Sequence, residues 1–339
     1  MNKRERVINS LNHRESDIIP YHVSFTAREL EKMLNCTGDP DFEVKTGSHL
    51  HCMQYQGWPT ELPGHPGHFT DDYGITWNRS GVDKDIGFIG APVIDEPDIS
   101  LWRMPHLDEA RLRSEFQEVL DTKEDRFVLP GIGFTMFERI WSLCGMQNVL
   151  MYMIEEPEFT HALLEGICEY NLKIIDIANE YDFDGFYIGD DWGQQRGLIM
   201  GPTHWREYIK PRMKRMYERA KKNGKYILQH SCGDIHELFP DLIDIGLDCY
   251  QTFQPEIYDI EAVKREYGAD LTFWGGISTQ RLLPYATPEE VKSETIRIMS
   301  IMGKDGGYIA APTHGVPGDV PAENILAMLD IFNNQAKYL

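Results

Sequence analysis

From about Phe127 onward, short apolar runs alternate with longer stretches in which apolar residues recur every three or four positions. The runs are Phe127–Gly131, Gly185–Gly189, Lys225–His230, Leu247–Gln251, Leu271–Gly275 and Tyr308–Ala311. Runs this short, apolar on both faces, read as strands covered by helices on each side. Between and after them the spacing predicts helices over 136–153, 158–180, 203–223, 235–245, 259–267, 288–303 and 321–337. In the second of these, Phe159, Leu163, Ile167, Tyr170 and Ile174 share one face. Helix 288–303 has a marked start, with Thr287 as N-cap, Pro288 behind it and Glu290 completing a capping box. Repeated strand–helix units require parallel strands joined by right-handed crossovers.

The first half lacks this rhythm. Residues 2–12 read as a helix, Ile18–Ser24 as a strand, and 26–34 and 40–51 as helical. Residues 57–105 are rich in Gly, Pro, Asp and Trp, with short strands expected at Ile75–Arg79 and Ile86–Ala91. They read as a β-rich insertion or lid beside the mouth of the core. Counting Ile18–Ser24 gives seven or eight parallel strands, which favours a (β/α)8 TIM barrel over an open doubly wound sheet. No Gly-rich phosphate loop follows any strand, and GIGF (131–134) lacks the third glycine of a dinucleotide fingerprint. The expectation is one barrel domain over residues 1–339, its core units starting near residue 16.

Charge narrows the function. The 339 residues carry 33 basic and 54 acidic side chains, a net charge of −21, so no basic face is available for nucleic acid. No apolar stretch is long enough to span a membrane. The opening MNKRERVINSLNHRES has no apolar run behind its basic residues, so no signal peptide is expected and the cytoplasm is the expected location. Six scattered cysteines do not form a disulfide framework. Cys36, Cys52, Cys144, Cys168 and Cys249 show no ligand spacing with one another and read as structural.

In such a barrel the chemistry stands at the C-terminal ends of the strands. Those ends carry Asp190, Asp191 and Trp192; then His230, Ser231 and Cys232; then Gln251, Phe253 and Gln254; then Trp274; then Thr313 and His314. If the strand continues through His230-x-Cys232, imidazole and thiol point to one face. Zinc takes nitrogen and sulfur ligands and needs three protein ligands at a catalytic site, with His314 as the natural third. The same pair also describes a core histidine beside a buried thiol. Asp190 and Asp191 could supply a carboxylate to a metal, act as general acid or base, or cap the next segment. Glu138 and Arg139 follow a strand closely enough to face the mouth, although a solvated helix pair is the plainer account of Arg139. Trp58, Tyr73 and Trp77 are either an aromatic wall for substrate or the core of the lid. Trp192, Gln251, Phe253 and Trp274 are the candidate substrate contacts.

With these residues collected, the chain resembles the uroporphyrinogen decarboxylase superfamily nearly end to end. The resemblance rests on NKRERVINSLNHRESDIIP, GMQNVLMYMIEEPEF, HSCGDIHELFPDLIDIGLDCYQTFQPE, FWGGISTQRLLPYATPEEV and GVPGDVPAENILAM. Its HSCG segment, His230 to Gly233, is similar to that of the zinc methyltransferases that work with corrinoid proteins. The decarboxylases carry an arginine-rich segment near the N-terminus, where this chain reads PYHVSFTARELEKML with only Arg28. The coenzyme-M methyltransferases place a cysteine where this chain has Thr313-His314-Gly315. A His-Cys-His set implied by this difference suits a Lewis acid on an ether oxygen better than an activator of thiols.

The resemblance therefore implies zinc held by His230, Cys232 and His314, and methyl transfer from a small O-methyl donor such as a methoxylated aromatic. Asp190, Asp191 or Glu138 would supply the proton. The methyl acceptor would be cobalamin on a partner corrinoid protein, because the chain has no DxHxxG-type segment of its own; a homodimer is left open. The competing readings are a metal-independent decarboxylase and a non-catalytic binding protein, the latter at odds with such polar strand ends.

Overall fold

The computed structural model describes residues 1–81 and 87–339, and the chain forms two compact units. One comprises residues 1–51, 123–128 and 248–339, the other residues 52–122 and 129–247. The fold is α/β. No helix among the described residues is long and apolar enough to cross a membrane.

In the first unit, Cys249–Phe253, Thr272–Ile277 and Tyr308–Pro312 form parallel neighbours in that order. Every residue of the three is buried, as strands with helices on both faces require. Helices Ile260–Tyr267, Pro288–Met302 and Ala322–Asn333 alternate with them. The expected capping box is present, with the Thr287 hydroxyl accepting the Glu290 N–H and Glu290 accepting the Thr287 N–H.

The N-terminal region departs from the sequence expectation in two places. Ile18–Ser24 is not a strand: the chain makes only isolated parallel bridges, Tyr21 to Ala310 and Phe25 to Val316. Pro20 has no N–H to give, and the Val23 N–H goes to the Ser48 hydroxyl instead of a strand partner, so no continuous ladder builds up. The helix expected over 40–51 shrinks to Phe42–Lys45, and Leu50–Tyr55 is a strand.

The second unit holds Gly185–Gly189 and Tyr226–His230 together with most of Leu50–Tyr55 and Phe127–Ile132. The order is Leu50–Tyr55, Phe127–Ile132, Gly185–Gly189, Tyr226–His230, and His230 pairs with Gly189. The predicted helix 136–153 is broken at Gly145, whose φ of +85° a helix does not accommodate, into Phe137–Cys144 and Met146–Glu155. Pro157–Ala178 follows as expected. A helix at Glu109–Asp121, capped by Asp108, was not foreseen.

Within residues 57–105 the strands Thr60–Glu61, His68–Thr70, Thr76–Asn78 and Phe88–Ile89 make a four-stranded antiparallel sheet. The strand expected at Ile86–Ala91 begins at a residue outside those described. Trp58, Tyr73 and Trp77 are buried within this unit, the lid-core alternative. Arg139 corrects the solvated account. It is 1% exposed, its guanidinium lies 3.7 Å over the Tyr73 ring and 3.6 Å from the Asp71 carboxylate, and it donates to the Gln56 carbonyl at 2.9 Å. This buried pair ties the antiparallel excursion to the helix that carries Glu138.

Candidate metal centre

The strand Tyr226–His230 ends at His230, so the pleat does not bring Cys232 to the imidazole as the sequence suggested. A turn does. Asp191 Oδ1 accepts the Cys232 N–H at 2.7 Å, and the Trp192 N–H donates to the Ser231 hydroxyl at 3.0 Å. Gly233 completes the turn at φ +76°, and a Cβ there would collide with the backbone of Gly193 and Gln194. Only glycine meets both demands.

The result is that His230 Nε2 and Cys232 Sγ face each other at 3.6 Å. Zinc–nitrogen bonds of about 2.0–2.1 Å and zinc–sulfur bonds of about 2.3 Å set tetrahedral neighbours about 3.6 Å apart. The two donors fit the metal. The other ring nitrogen, Nδ1, lies 3.2 Å from the Tyr187 hydroxyl, a partner that holds the ring with Nε2 turned toward Cys232. Tyr187 escaped the sequence reading. Its proximity to His230 follows from the register: it lies on the neighbouring strand two residues before Gly189, which pairs with His230.

Burial works against charge on His230, but Tyr187, Cys232 and Asp191 outweigh it and raise its pKa well above the ordinary value. Burial also raises the Cys232 thiol, with His230 pulling partly the other way. A metal entering this site must therefore displace protons from both groups.

The two adjacent aspartates have separate tasks. Asp190 is fully buried, and its carboxylate accepts the N–H groups of Met136, Phe137 and Glu138 at 2.9–3.1 Å and the Trp192 indole at 2.5 Å. Burial lifts its pKa to about 6 against those donors. With its oxygens committed to the start of helix Phe137–Cys144, it anchors that helix and has no lone pair directed at a substrate. Asp191 is part-exposed and lies 3.3 Å from His230 Nε2. Burial opposes its ionisation, yet His230 and the Cys232 amide bring it down to about 2. Glu138, half-buried in the first turn of the same helix, accepts the Asp191 N–H; burial and then the Asp191 and Asp190 charges push its pKa well above the ordinary value.

The candidate substrate contacts divide. Trp192 and Phe253 are 0% exposed. Trp192 packs edge-on against Trp205 at 5.2 Å, and Phe253 stacks with Tyr258 at 5.4 Å, so neither offers a face to a substrate. Their place at strand ends misled, because a strand end can close as core. In the first unit, Gln251 and Trp274 keep 6% and 3% exposure. His314 stands exposed two residues beyond the strand Tyr308–Pro312. All six cysteines are free thiols; Cys144, Cys168 and Cys249 are buried, as structural thiols should be, while Cys36 is exposed.

The sequence profile of the uroporphyrinogen decarboxylase (URO-D) family matches residues 81–335. The methylated-thiol–coenzyme M methyltransferase of Methanosarcina mazei is 25% identical over 185 residues, 55% of this chain and 47% of that protein. The match thus spans about half the length of that relative. The uroporphyrinogen decarboxylase of Chlorobium limicola is 25% identical over 267 residues, 73% of this chain and 72% of that protein. A solved methyltransferase from Methanosarcina mazei shares the fold over 99% of both chains, with a TM-score of 0.71 at 15% identity. With well over half of its length matched by the profile, the chain belongs to the uroporphyrinogen decarboxylase family.

Proposed function

We propose that this protein is a zinc-dependent methyltransferase that moves a methyl group from a small O-methyl donor, such as a methoxylated aromatic, to cobalamin on a separate corrinoid protein. The observation that carries this is the 3.6 Å approach of His230 Nε2 to Cys232 Sγ at a strand end, the spacing of two zinc ligands. His314 is the third ligand in this proposal. A barrel of the (β/α)8 type, with residues 57–105 as its lid, belongs to the same proposal. Bound zinc would supply Lewis acidity at the donor oxygen.

The chain's own residues do the rest. Tyr187 orients the imidazole, Asp190 fixes the start of the helix bearing Glu138, and Glu138 carries the proton that the departing oxygen takes up. Gln251 is the predicted contact left to meet the donor. Relatives named as decarboxylases sustain a second account, a metal-independent decarboxylase; against it, residues 20–34 hold one arginine, Arg28, to bind substrate carboxylates.

The test supplies free cob(I)alamin with methoxylated aromatics, and a methylated thiol beside them, and follows methylcobalamin spectroscopically. Wild type should methylate cobalamin from an O-methyl donor. His314→Ala should lower the rate by about a hundredfold or more, the usual cost of removing such an electrostatic contact, with an unchanged circular dichroism spectrum. Full activity in that variant removes His314 from the site, and zinc-free wild type that decarboxylates a porphyrinogen sinks the proposal entirely.

A further inference from the structure

We propose that Asp191 is itself a ligand of the metal, occupying the fourth position when no methyl donor is bound. This rests on the zinc assignment above and adds a residue to it. Asp191 Oδ1 lies 3.3 Å from His230 Nε2. A direct imidazolium–carboxylate hydrogen bond closes to about 2.7–2.9 Å. Oxygen and nitrogen ligands of one tetrahedral zinc, each about 2.0–2.2 Å from the ion, stand about 3.3 Å apart. Two edges of a single coordination tetrahedron, Nε2 to Sγ at 3.6 Å and Nε2 to Oδ1 at 3.3 Å, are therefore already in place.

The contrast with Asp190 strengthens the assignment. Asp190 receives four hydrogen bonds on its two oxygens and is fully buried. Asp191 receives the Cys232 N–H on Oδ1, and its side chain keeps 31% exposure. Its carboxylate faces the His230 imidazole and the Cys232 thiol, the two groups assigned to the metal. Charge points the same way: a divalent ion with one thiolate and two neutral imidazoles retains one positive charge, which one carboxylate cancels. A carboxylate oxygen is also a ligand that an entering donor atom can replace without breaking the metal–sulfur bond.

Two variants separate ligation from support of the turn. Asp191→Asn keeps an oxygen that can accept the Cys232 N–H but loses the anionic ligand; Asp191→Ala loses both. Purified apoprotein is titrated with zinc against a chromophoric chelator, and separately loaded with cobalt(II) for visible spectroscopy, with no methyl donor or corrinoid present. Asp191→Asn should bind zinc about 10–100-fold more weakly than wild type, and its cobalt d–d bands should shift. An unchanged affinity together with an unchanged cobalt spectrum in Asp191→Asn would show that Asp191 only seats Cys232, and would overturn the proposal. Failure of the underlying zinc assignment looks different: wild type would then bind zinc no better than Cys232→Ala.

Discussion

The strand ends of the two units look alike in sequence, each with polar and aromatic residues just beyond an apolar run, yet they are built for opposite ends. Around His230 the neighbours are polar and mutually oriented: Tyr187 on Nδ1, Cys232 and Asp191 toward Nε2. Around Phe253 and Trp274 the neighbours are rings. Phe253 packs on Tyr258 at 5.4 Å and Phe273 at 4.8 Å, and Trp274 meets His22 edge-on at 5.4 Å. The histidines record the difference. Burial, with little to offset it, holds His22 and His49 of the first unit down to about 4, whereas the partners of His230 hold it above its ordinary value. A strand end becomes a site where lone pairs are aimed at one point by groups whose remaining bonds are already satisfied. Where rings fill that space it becomes core.

The contrast breaks most visibly at Phe253. Phe253→Ala removes a ring with no exposed surface from between two others, and should cost about 3–5 kcal/mol of stability by chemical denaturation. Zinc content should not change. A Phe253→Ala protein that keeps its stability but loses zinc would reverse the roles given to the two strand ends.

A smaller effect sharpens the comparison through pH. The pKa of His49 is about 4 in the folded protein against 6.5 as its reference. The unfolded chain therefore takes up this proton first as the pH falls, and the folded state loses stability between about pH 6.5 and 4; above 6.5 the contribution is fully present. For His49 the loss between pH 7.5 and pH 5 is about 2 kcal/mol, and His22 acts in the same direction. Urea denaturation at the two pH values measures it, and His49→Gln should flatten the dependence. An unaltered slope in that variant would mean that His49 is not held neutral by its surroundings.

Much of the α/β pattern was legible because it is local. Gly185–Gly189 matches the structure residue for residue, and the Thr287 capping box forms as its spacing indicates. Leu50–Tyr55 was not legible: LHCMQY contains no β-branched residue, and its burial does not follow a simple alternation. The site was legible as residue types but not as geometry. His230 and Cys232 stand out as a pair, yet what joins them is a turn held by Asp191, 41 positions earlier. Tyr187 looks like one more apolar strand residue until the pairing of His230 with Gly189 is known. Arg139 reads as a surface residue because its partner, Asp71, lies far off in an irregular stretch. Side chains whose role depends on a distant partner leave no periodic signal behind them.

The central claim is that the His230 strand end holds zinc through Cys232. The direct measurement is the zinc content of purified Cys232→Ala and Cys249→Ala, prepared side by side with wild type. Cys249 is fully buried with its thiol pKa pushed well up by burial, a poor candidate for a thiolate ligand. The account predicts near-stoichiometric zinc in wild type and Cys249→Ala, and loss of most of it in Cys232→Ala. Equal zinc in the two variants would contradict it.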